Sequence, residues 1–534
     1  MPKQNQKFIF VLGGIVSGIG KGVTVASITS LLQSRGISVL PIKADPYLNK
    51  DAGTMNPYQH GEVFVTDDGA ETDLDLGHYE RFTGLSLTRD SNFTSGSVYA
   101  HVMDLERRGD FLGRTIQVIP HVTDEIKRRI ITASRKHKPD ITIIEIGGTV
   151  GDIEGEPFLE AARQIHRDYG SENVKFVQVV KIDYIFPSDE SKTKPIQQSV
   201  ALLRSKGIQP NFLIVRCKRP LSKDNQEKIS LFTSVPQNHI IQGIDVATTV
   251  YEAPLNFKKA RLDDLILEEI GVRPKKPDFV EWRHAIQRVK SMRKHIKIAL
   301  VGKYTEHSDA YISVEEALFS AGIAHGAKIE IVHIDAENDN VGDMLKDARG
   351  ILVPGGFGKR GVEGKIAAIQ YAREHKIPFL GLCLGLQTAV IEFARNKCGL
   401  KGANSTEFDV KTPHPVVDIL AEQKDVKNLG GTMRLGSWKV RAKKGTLVAK
   451  LYGKQEIAER HRHRYEVNPK YHAALEKNGL VFSGFAKSDA RLVDFIELPG
   501  HPFFVATQAH PEFKSRFLEP HPLFLGFIGA ALKQ

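Results

Sequence analysis

A cysteine, a histidine and a glutamate in the C-terminal half have the types and the order of a thiol-dependent hydrolase. Cys383 lies in the motif GLCLG at 381–385, after a strand-like run and before an apolar helix. Glycines on both sides permit the strained turn of a nucleophile elbow, and the start of a helix favours a thiolate. His510 and Glu512 follow far downstream and fit a proton acceptor and its orienting carboxylate. We therefore predict a triad of these three residues.

Backbone groups that could stabilise an oxyanion lie close to this cysteine in the predicted fold. The motif PGGFG at 354–358 follows another strand-like run, and its N–H groups can pair with that of Leu384. A buried, unreactive thiol is the commonest alternative for any single cysteine. The three features together favour the nucleophile.

A glycine-rich loop at 13–22, GGIVSGIGKG, links the first strand-like run to a helix. Backbone N–H groups in such a loop surround phosphate oxygens, while the helix N-terminus and Lys21 add positive charge. The loop departs from GxxxxGK[ST], because Ile15 occupies the first glycine position and Gly22 replaces the hydroxyl that normally reaches Mg²⁺. An ordinary glycine-rich turn explains the glycines but not the lysine.

Carboxylates that could replace this hydroxyl follow later strands. Asp73 and Asp75 lie in one short segment, and Glu145 ends a strand-like run before two glycines, while Lys43 follows the second strand. The carboxyl ends of parallel strands face the ligand crevice, and carboxylate oxygens suit Mg²⁺ bound with phosphates. A further basic set, suited to a second polyphosphate, consists of Lys192, Thr193, Lys194 and Lys228. Solvated surface charge is the alternative for each of these residues alone.

Two sheets are needed to position these residues. Apolar runs of strand length alternate with helical periodicity, which is typical of doubly wound α/β domains. The strands predicted in the first half are Lys7–Gly13, Ser38–Ile42, Ile141–Ile146, Val174–Val180, Asn211–Cys217 and His239–Gln242. Those predicted in the second half are Ile296–Val301, Ile329–Ile334, Gly350–Val353, Phe379–Leu382, Leu480–Phe485, Val493–Leu498 and Phe503–Ala509. The predicted fold class is α/β, with two doubly wound, mainly parallel-sheet domains.

A basic, proline-punctuated stretch at 273–277, followed by a helix-like segment at Glu281–Arg293, separates the two series. We predict domains at 1–270 and 296–534, joined by a linker at 271–295.

Composition excludes several classes of protein. Among 534 residues, 41% are hydrophobic and 26% are charged, which is ordinary for globular chains and excludes wholesale disorder. No apolar run approaches the roughly 18 residues of a membrane span, and glycines interrupt the N-terminal one, so we expect neither a membrane segment nor a secretion signal. Three cysteines predict a reducing cytoplasm and no disulfide framework. The net charge of +11 suits phosphorylated ligands, and the basic residues form no continuous track for nucleic acid.

Longer strings resemble a known family. GLCLG, PGGFG and HPE together resemble a class I glutamine amidotransferase domain, and with the N-terminal half the chain is similar to the CTP synthase family. The other strings that carry this resemblance are GEVFV at 61–65, DLDLGHYERF at 73–82, IEIGGTVGDIE at 144–154, KTKP at 192–195, GGTMRLG at 430–436 and ERHRHRYEVN at 459–468. The resemblance covers nearly the whole chain.

This resemblance implies ATP-dependent phosphorylation of UTP at O4, followed by amination at C4 with ammonia from glutamine to give CTP. The positions that correspond to ATP contacts are Gly18, Ile19, Gly20, Lys21, Gly22, Val23, Lys43, Asp75 and Asp245. Those that correspond to UTP and CTP contacts are Ser17, Asp152, Ile153, Glu154, Lys192, Thr193, Lys194, Gln197 and Lys228. Asp75 and Glu145 correspond to the Mg²⁺ ligands.

The resemblance also implies contacts around the second reaction. Positions that correspond to glutamine contacts are Gly356, Leu384, Gln387, Glu407 and Arg464. Pro57, His60 and Val63 correspond to an internal ammonia tunnel, and Arg434 to a loop linked to activation by GTP. The family is expected to form homotetramers, with filaments in some members, and to be inhibited by CTP.

Some positions depart from the family pattern. Ile196 and Gln198 stand where a threonine and a histidine are usual, Asp189 where glycine is usual, and Gly155-Glu156 where a serine is usual. The first two changes remove a hydroxyl and a histidine near the UTP phosphates, so we hypothesise altered affinity or cooperativity for UTP. The extra carboxylates repel a triphosphate, so we also hypothesise weaker inhibition by CTP.

Two other functions fit part of the sequence. An ATP-dependent ligase of the cobyrinate-amidating type shares the loop variant and the cysteine motif, and activity on UTP distinguishes it. A P-loop scaffold or nucleic-acid-associated ATPase with a vestigial amidotransferase half predicts salt-dependent nucleic-acid binding and no need for Cys383. The intact triad argues against it.

Overall fold

Residues 6–273, 275–303, 309–338, 340–419 and 433–534 are described by a computed structural model of the protein. Their contacts divide the chain into two units. The first unit comprises Met1–Thr54 and Thr72–Ile286, and the second comprises Met55–Glu71 and Gln287–Gln534. A short excursion from the N-terminal half therefore packs with the C-terminal half.

Strands and helices alternate along most of the chain and are numbered in chain order. The strands are β1 (Lys7–Gly13), β2 (Val39–Asp45), β3 (Phe64–Val65), β4 (Glu71–Thr72), β5 (Asn92–Thr94), β6 (Ile141–Ile146), β7 (Val174–Lys181), β8 (Asp183–Ile185), β9 (Glu190–Lys192), β10 (Phe212–Cys217), β11 (Ile240–Ile244), β12 (Lys294–Gly302), β13 (Ala327–Asp335), β14 (Gly350–Val353), β15 (Phe379–Leu382), β16 (Asn404–Ser405), β17 (Pro415–Asp418), β18 (Arg434–Ala442), β19 (Glu456–His463), β20 (Glu466–Val467), β21 (Val481–Ala486), β22 (Val493–Glu497) and β23 (Phe504–Thr507). The helices are α1 (Lys21–Ser34), α2 (Pro57–His60), α3 (Asp75–Thr83), α4 (Ser95–Arg107), α5 (Thr123–His137), α6 (Glu156–Tyr169), α7 (Lys194–Ser205), α8 (Lys223–Thr233), α9 (Ala253–Lys259), α10 (Leu262–Glu269), α11 (Val280–Ser291), α12 (Ile312–His325), α13 (Val341–Met344), α14 (Val362–Glu374), α15 (Leu384–Asn396), α16 (Leu447–Tyr452), α17 (His472–Lys477) and α18 (Pro522–Ala531).

The first unit is built on a parallel sheet with the strand order β11-β10-β7-β1-β6-β2-β5. Its central strands are apolar along their length because helices cover both faces. On one face Phe8, Phe10 and Leu12 of β1 share a core with Ile126 of α5 and Ile165 of α6. This arrangement brings the carboxyl ends of the strands, where the predicted site residues lie, to one edge.

The second unit is built on a sheet with the order β13-β12-β14-β15-β23-β22-β21-β18-β19. The pairs from β13 to β23 are parallel, and the pairs from β23 to β19 are antiparallel. Strands β18 and β19 were missing from the prediction because they contain few apolar residues, and charged residues such as Glu459 and Arg460 are themselves buried in β19. Four of the eight strand pairs in this sheet are thus parallel, and the other four form an antiparallel extension.

The predicted fold class is confirmed: both units are α/β and each contains the predicted parallel strands. The helix-like segment predicted in the linker corresponds to α11, while Pro274 lies outside the described residues. In the ranges described above, no helix has both the length and the hydropathy that crossing a membrane requires.

Candidate functional site

The glycine-rich loop joins β1 to α1. Gly18 and Gly20 have φ angles of 64° and 93°, in the left-handed region that other residues rarely adopt. Lys21 is the first residue of α1, and its Nζ donates a hydrogen bond to the carbonyl oxygen of Gly148 at 2.6 Å. No described side chain caps the start of this helix. Its first N–H groups are therefore available to an anion.

The space beside Gly22 explains why this loop lacks the usual serine or threonine. A Cβ atom at Gly22 would overlap Oδ1 of Asp75, the first residue of α3. The Asp75 carboxylate therefore stands in the place of the missing hydroxyl. It supplies the oxygen that the loop itself does not provide.

Lys43 lies among three carboxylates at the end of β2. Its Nζ is 2.7 Å from Oε1 of Glu145 and 3.7 Å from Oδ1 of Asp45, and it also pairs with Asp75. Burial lowers the pKa of Lys43, but these carboxylates outweigh burial and raise it well above its ordinary value. The hydroxyl of Tyr79, which sequence reasoning missed, donates to Oε2 of Glu145 and holds it in place.

The donor set at this edge suits a divalent cation bound together with phosphates. Burial, with Asp45 and Asp75 next, raises the pKa of Asp73 well above its ordinary value, which is the sign of concentrated negative charge. Within the described ranges no three His, Cys, Asp or Glu side chains form a ready metal site. Mg²⁺ commonly uses only one or two carboxylates and completes its shell with phosphates and water. Asp75 and Glu145 fit that requirement.

A pocket beside the loop has apolar walls suited to a nucleobase. Its lining includes Ile19, Gly20, Val23, Ile214, Asp245 and Phe257. Arg216, at the end of β10, donates from Nε to Asp245 at 2.9 Å and from Nη1 to the carbonyl oxygen of Ile19 at 3.3 Å. Sequence reasoning missed Arg216, because one arginine at a strand end carries no distinctive signal. Ser17 and Gly18 line a neighbouring cleft together with Lys181, Tyr184 and Lys218.

The residues predicted to contact UTP and CTP fall in three separate segments. Lys192 ends β9 and Thr193 precedes α7, where Nε2 of Gln197 donates to Thr193 Oγ1 at 3.0 Å. Lys194 lies over the ring of Phe232 at 5.8 Å, and Lys228 is on α8. Asp152, Ile153 and Glu154 form the turn before α6, where the Asp152 carboxylate accepts hydrogen bonds from Thr149. The first two of these segments contact each other, since Nδ2 of Asn225 on α8 donates to Oγ of Ser191 on β9 at 2.6 Å.

The unusual residues near these segments are compensated locally. The Ile196 side chain is 1% exposed and packs in a core with Val180 and Val200. Asp189 pairs with Arg219, and Oε1 of Glu156 is 2.7 Å from Nζ of Lys206. Both extra carboxylates therefore have a cationic partner, and the net charge they add is smaller than the sequence indicates.

In the second unit, Cys383 lies at a sharp turn between β15 and α15. Its φ and ψ angles are 51° and −100°, a strained conformation for a residue other than glycine. A Cβ atom at Gly381 would lie 2.8 Å from the carbonyl oxygen of Gly385, and one at Gly385 would overlap the carbonyl oxygen of Val353. The two glycines therefore make the turn possible, as expected for a nucleophile elbow.

The proposed base lies beside this sulfur. Nδ1 of His510 is 2.7 Å from Oε1 of Glu512. A Cβ atom at Gly355 would lie 2.6 Å from Cε1 of His510 and 3.5 Å from Cβ of Cys383, so this glycine allows the two to approach. Burial lowers the pKa of His510, but Glu512 and Cys383 outweigh it and raise the pKa to about 10. The imidazolium form is therefore favoured at neutral pH.

Polar groups around Cys383 match a small amide substrate. Leu384 begins α15, so its N–H has no partner within the helix and can point at an oxyanion. Nε2 of Gln508, which sequence reasoning missed, donates to the sulfur at 3.7 Å. Nε2 of Gln387 reaches Oε1 of Gln508 at 3.4 Å and therefore positions it.

Charged residues line the other side of this site. Oε1 of Glu407 accepts a hydrogen bond from the N–H of Gly358 at 2.7 Å. Burial raises the pKa of Glu407, and the opposing effects of this hydrogen bond, Lys303 and Arg464 only partly offset it. Two lysines that were not predicted from the sequence lie on the same side. Lys303 donates to the carbonyl oxygen of Phe357, and Lys365 is fully buried below Gly356, with Nζ 3.9 Å from the position of a Cβ atom there.

Arg434 is buried in the second unit. It is the first residue of β18, is 3% exposed, and contacts Asp494 at 3.0 Å and Glu466 at 3.3 Å. The preceding residues 420–432 lie outside the described residues, so the loop predicted to respond to GTP is described only at its end. His60 is exposed at the end of α2 and Val63 is half-buried just before β3. Pro57 begins α2, and its side chain lies outside the described part.

Comparisons with known proteins agree along the whole chain. The model of a family described as "CTP synthase N-terminus" matches residues 7–272, and that of "Glutamine amidotransferase class-I" matches residues 306–530. CTP synthase of Geobacillus kaustophilus is 55% identical over 531 residues, covering 99% of this chain and 100% of that protein. CTP synthase of Carboxydothermus hydrogenoformans is 56% identical over 530 residues, covering 99% of each chain. Among solved structures, the glutaminase domain of Trypanosoma brucei CTPS with bound acivicin is 41% identical, covers 45% of this chain and 94% of that chain, and has a TM-score of 0.42.

Proposed function

The chain belongs to the CTP synthase family and is therefore a glutamine-hydrolysing ligase that makes CTP from UTP, ATP and ammonia; on that premise we propose which of its residues perform each step. The observation that supports the proposal is a cluster of candidate reactive residues in each unit. The first surrounds Lys21 and Lys43, and the second surrounds Cys383. We assign residues 1–270 to the synthetase reaction, 271–295 to the linker and 296–534 to the glutaminase reaction.

In the synthetase reaction, the terminal phosphoryl group of ATP moves to O4 of the uracil ring, and ADP leaves. Lys21 and Lys43 are proposed to stabilise the charge on the phosphoryl group during transfer, because Lys21 directly follows the loop and Lys43 pairs with Asp75, whose carboxylate lies against Gly22. Ammonia then attacks C4, the C–O bond breaks, and phosphate departs to leave CTP. Bound Mg²⁺, held by Asp75 and Glu145, would neutralise the phosphates.

In the glutaminase reaction, the Cys383 sulfur attacks the amide carbon of glutamine. His510 gives its proton to the departing ammonia and then accepts one from the water that hydrolyses the thioester, while Glu512 keeps the imidazole oriented. Glu407 and Arg464 suit the ammonium and the carboxylate of glutamine respectively. Ammonia is proposed to travel inside the protein past Pro57, His60 and Val63, since bulk water would protonate it.

Regulation and assembly belong to the same proposal. We propose activation by GTP through the 420–434 region, inhibition by CTP at the UTP site, a cytoplasmic location and a homotetramer that can form filaments. Exposed apolar side chains on neighbouring elements of the first unit support assembly. They are Met103, Leu112, Val118, Ile119 and Ile153.

The decisive experiment follows the absorbance change from uracil to cytosine with UTP, ATP and Mg²⁺, using either glutamine plus GTP or ammonia. We expect conversion with both nitrogen sources. Cys383→Ala should abolish synthesis from glutamine and keep synthesis from ammonia, whereas Lys21→Ala should abolish both. Glutamine-dependent synthesis by Cys383→Ala would contradict the nucleophile assignment. Failure of the parent with UTP would favour another ATP-dependent amidoligase.

A further inference from the structure

A short segment from the N-terminal half of the chain is built into the glutaminase unit. Residues 55–71 lie inside the match to the N-terminal family model at 7–272, but they pack with the second unit. Within them, the segment 62–71, which we call the hairpin, turns through a hydrogen bond from the N–H of Thr66 to the carbonyl oxygen of Ala70 at 3.0 Å. Four residues of the hairpin are acidic, and two of them, Asp67 and Glu71, pair with residues of β19.

Each of these two acidic residues holds one arginine of β19. Oδ1 of Asp67 is 2.6 Å from Nε of Arg460, and Oε1 of Glu71 is 2.6 Å from Nε of Arg462. Arg460 is 0% exposed, and a buried guanidinium left without its carboxylate is strongly unfavourable. Burial raises the pKa of Asp67, but Arg460 outweighs it, and the net shift is downward. The two pairs therefore fix β19 to the hairpin.

The backbone of the same two arginines touches the reactive residues. The carbonyl oxygen of Arg460 accepts a hydrogen bond from the N–H of His510 at 2.7 Å. The carbonyl oxygen of Arg462 lies 3.9 Å from the sulfur of Cys383. A movement of β19 at either arginine would therefore displace the base or change the surroundings of the nucleophile.

Apolar packing connects the hairpin to the base by a second route. The ring of Phe64 lies 5.1 Å from that of Phe513, which in turn stacks on the imidazole of His510 at 5.1 Å. The guanidinium of Arg460 lies over Phe64 at 5.3 Å. Close backbone approach adds to this, since a Cβ atom at Gly436 would lie 2.6 Å from the carbonyl oxygen of Asp67.

We propose that Asp67 and Glu71 are positioning residues of the glutaminase reaction, which act through Arg460 and Arg462 to hold β19 against Cys383 and His510. This inference rests on the proposed function, because it takes Cys383 as the nucleophile. It means that the glutaminase centre is completed by residues encoded in the N-terminal half.

A double-mutant cycle on the pair whose arginine is partly exposed, Glu71 and Arg462, tests the proposal. The proteins are the full-length parent, Glu71→Gln, Arg462→Gln and the double variant, each assayed for glutamate release and for CTP synthesis from ammonia. We expect each single variant to lower kcat for glutamine at least tenfold with KM changed less than threefold, and the double variant to be no worse than the worse single one. Glu71→Asp, which keeps the charge, should recover most of the loss.

A matched control and a fold check make each outcome decisive. Glu456→Gln removes an exposed ion pair with Lys487, at 2.8 Å, from the same strand and should leave glutamate release unchanged. Synthesis from ammonia should stay within twofold of the parent in all variants, which reports that the protein is folded. Glutamine kcat within twofold of the parent in Glu71→Gln, or multiplying losses in the double variant, would overturn the proposal. If Glu71→Gln does not fold, Asp67→Asn, which removes the charge that pairs with Arg460, provides the same comparison, and unchanged kcat there overturns the proposal. A parent without glutamine hydrolysis would instead contradict the proposed function.

Discussion

Each of the two reactive centres contains a buried lysine, and the pKa values of the two lysines are shifted in opposite directions. Lys43 in the first unit is 5% exposed and has three carboxylates around its ammonium group. Lys365 in the second unit is 0% exposed, and its Nζ has no hydrogen-bond partner among the described residues. The pKa of Lys43 is raised well above its ordinary value, while burial, with Lys303 next, lowers that of Lys365 to about 7. Burial is similar at both sites, so the neighbours decide the sign.

This difference corresponds to the chemistry of each centre. The phosphate centre holds charges of both signs, and its carboxylates pair with the ammonium group of Lys43. The thiol centre handles a zwitterionic amino acid, and its lysine lies below Gly356 with no carboxylate hydrogen-bonded to it among the described residues. The buried lysine of the first centre is thus paired with carboxylates, whereas that of the second has no hydrogen-bond partner in the part of the chain that the structure describes.

Removing Lys43, the lysine that is paired with carboxylates, should have the largest effect on activity. We expect Lys43→Met to lower CTP synthesis about 10³-fold or more with either nitrogen source, because the phosphoryl group loses a cation and three carboxylates lose their partner. Steady-state rates with glutamine and with ammonia measure this. Lys175→Met is the control, since this lysine pairs with Glu269 at 2.7 Å on the same sheet. Synthesis from ammonia at a tenth of the parent rate or more would show that Lys43 is structural only.

The carboxylate of the thiol centre should affect only one nitrogen source. We expect Glu512→Gln to lower synthesis from glutamine about 10²-fold and to leave synthesis from ammonia unchanged. Glu512 raises the pKa of His510, so its loss should move the alkaline limit of glutamine hydrolysis to lower pH. The sign for stability is the same: the raised pKa of His510 stabilises the fold below pH 6.5, and this contribution disappears as the pH rises towards about 10.

A pH profile of glutamate release, together with Glu363→Gln as an exposed control on α14, measures the effect of Glu512→Gln. An alkaline limit that stays in place in Glu512→Gln would mean that another group sets the pKa of His510.

Replacing the buried Lys365 should change the stability of the protein. The pKa of Lys365 is about 7 in the folded protein and 10.5 when unfolded, so between these values the unfolded chain binds more protons and stability rises with pH. We expect Lys365→Met to stabilise the protein by roughly 2 kcal/mol at pH 7, or about 2–4 °C in Tm, and the gain to vanish near pH 10. Thermal unfolding at both pH values tests this, with the exposed Lys346→Met as control. A loss of stability at pH 7 would show that Lys365 has a counter-ion.

The smallest effect, on inhibition by CTP, is expected for a carboxylate that already has a cationic partner in the folded protein. We expect Glu156→Gln to change the inhibition constant of CTP by less than about twofold, because Glu156 is already paired with Lys206. Lys206→Gln should weaken CTP inhibition more than Glu156→Gln does, since it leaves the carboxylate unpaired. Inhibition assays at fixed UTP compare the two variants. Stronger inhibition by CTP in Glu156→Gln would support the repulsion expected from the sequence alone.

Much of both centres could be predicted from the sequence because local rules govern them. A glycine-rich turn after a strand, a cysteine between glycines before a helix, and long apolar runs each have one main conformational solution. The predicted strand Lys7–Gly13 matches β1, and Phe379–Leu382 matches β15. Strands β18 and β19 escaped prediction because charged residues such as Arg460 and Arg462 are buried there by partners distant in sequence.

By itself the sequence determined the fold class, the positions of the main strands along the chain and the types of chemical group at each centre. Only the tertiary structure decided how charges pair: that Lys43 is surrounded and Lys365 is not, that Asp189 and Glu156 have cationic partners, and that the hairpin at 62–71 packs with the glutaminase unit. The reason is physical. Backbone conformation depends mainly on neighbours in the chain, whereas the energy of a buried charge depends on groups brought near it from anywhere in the sequence.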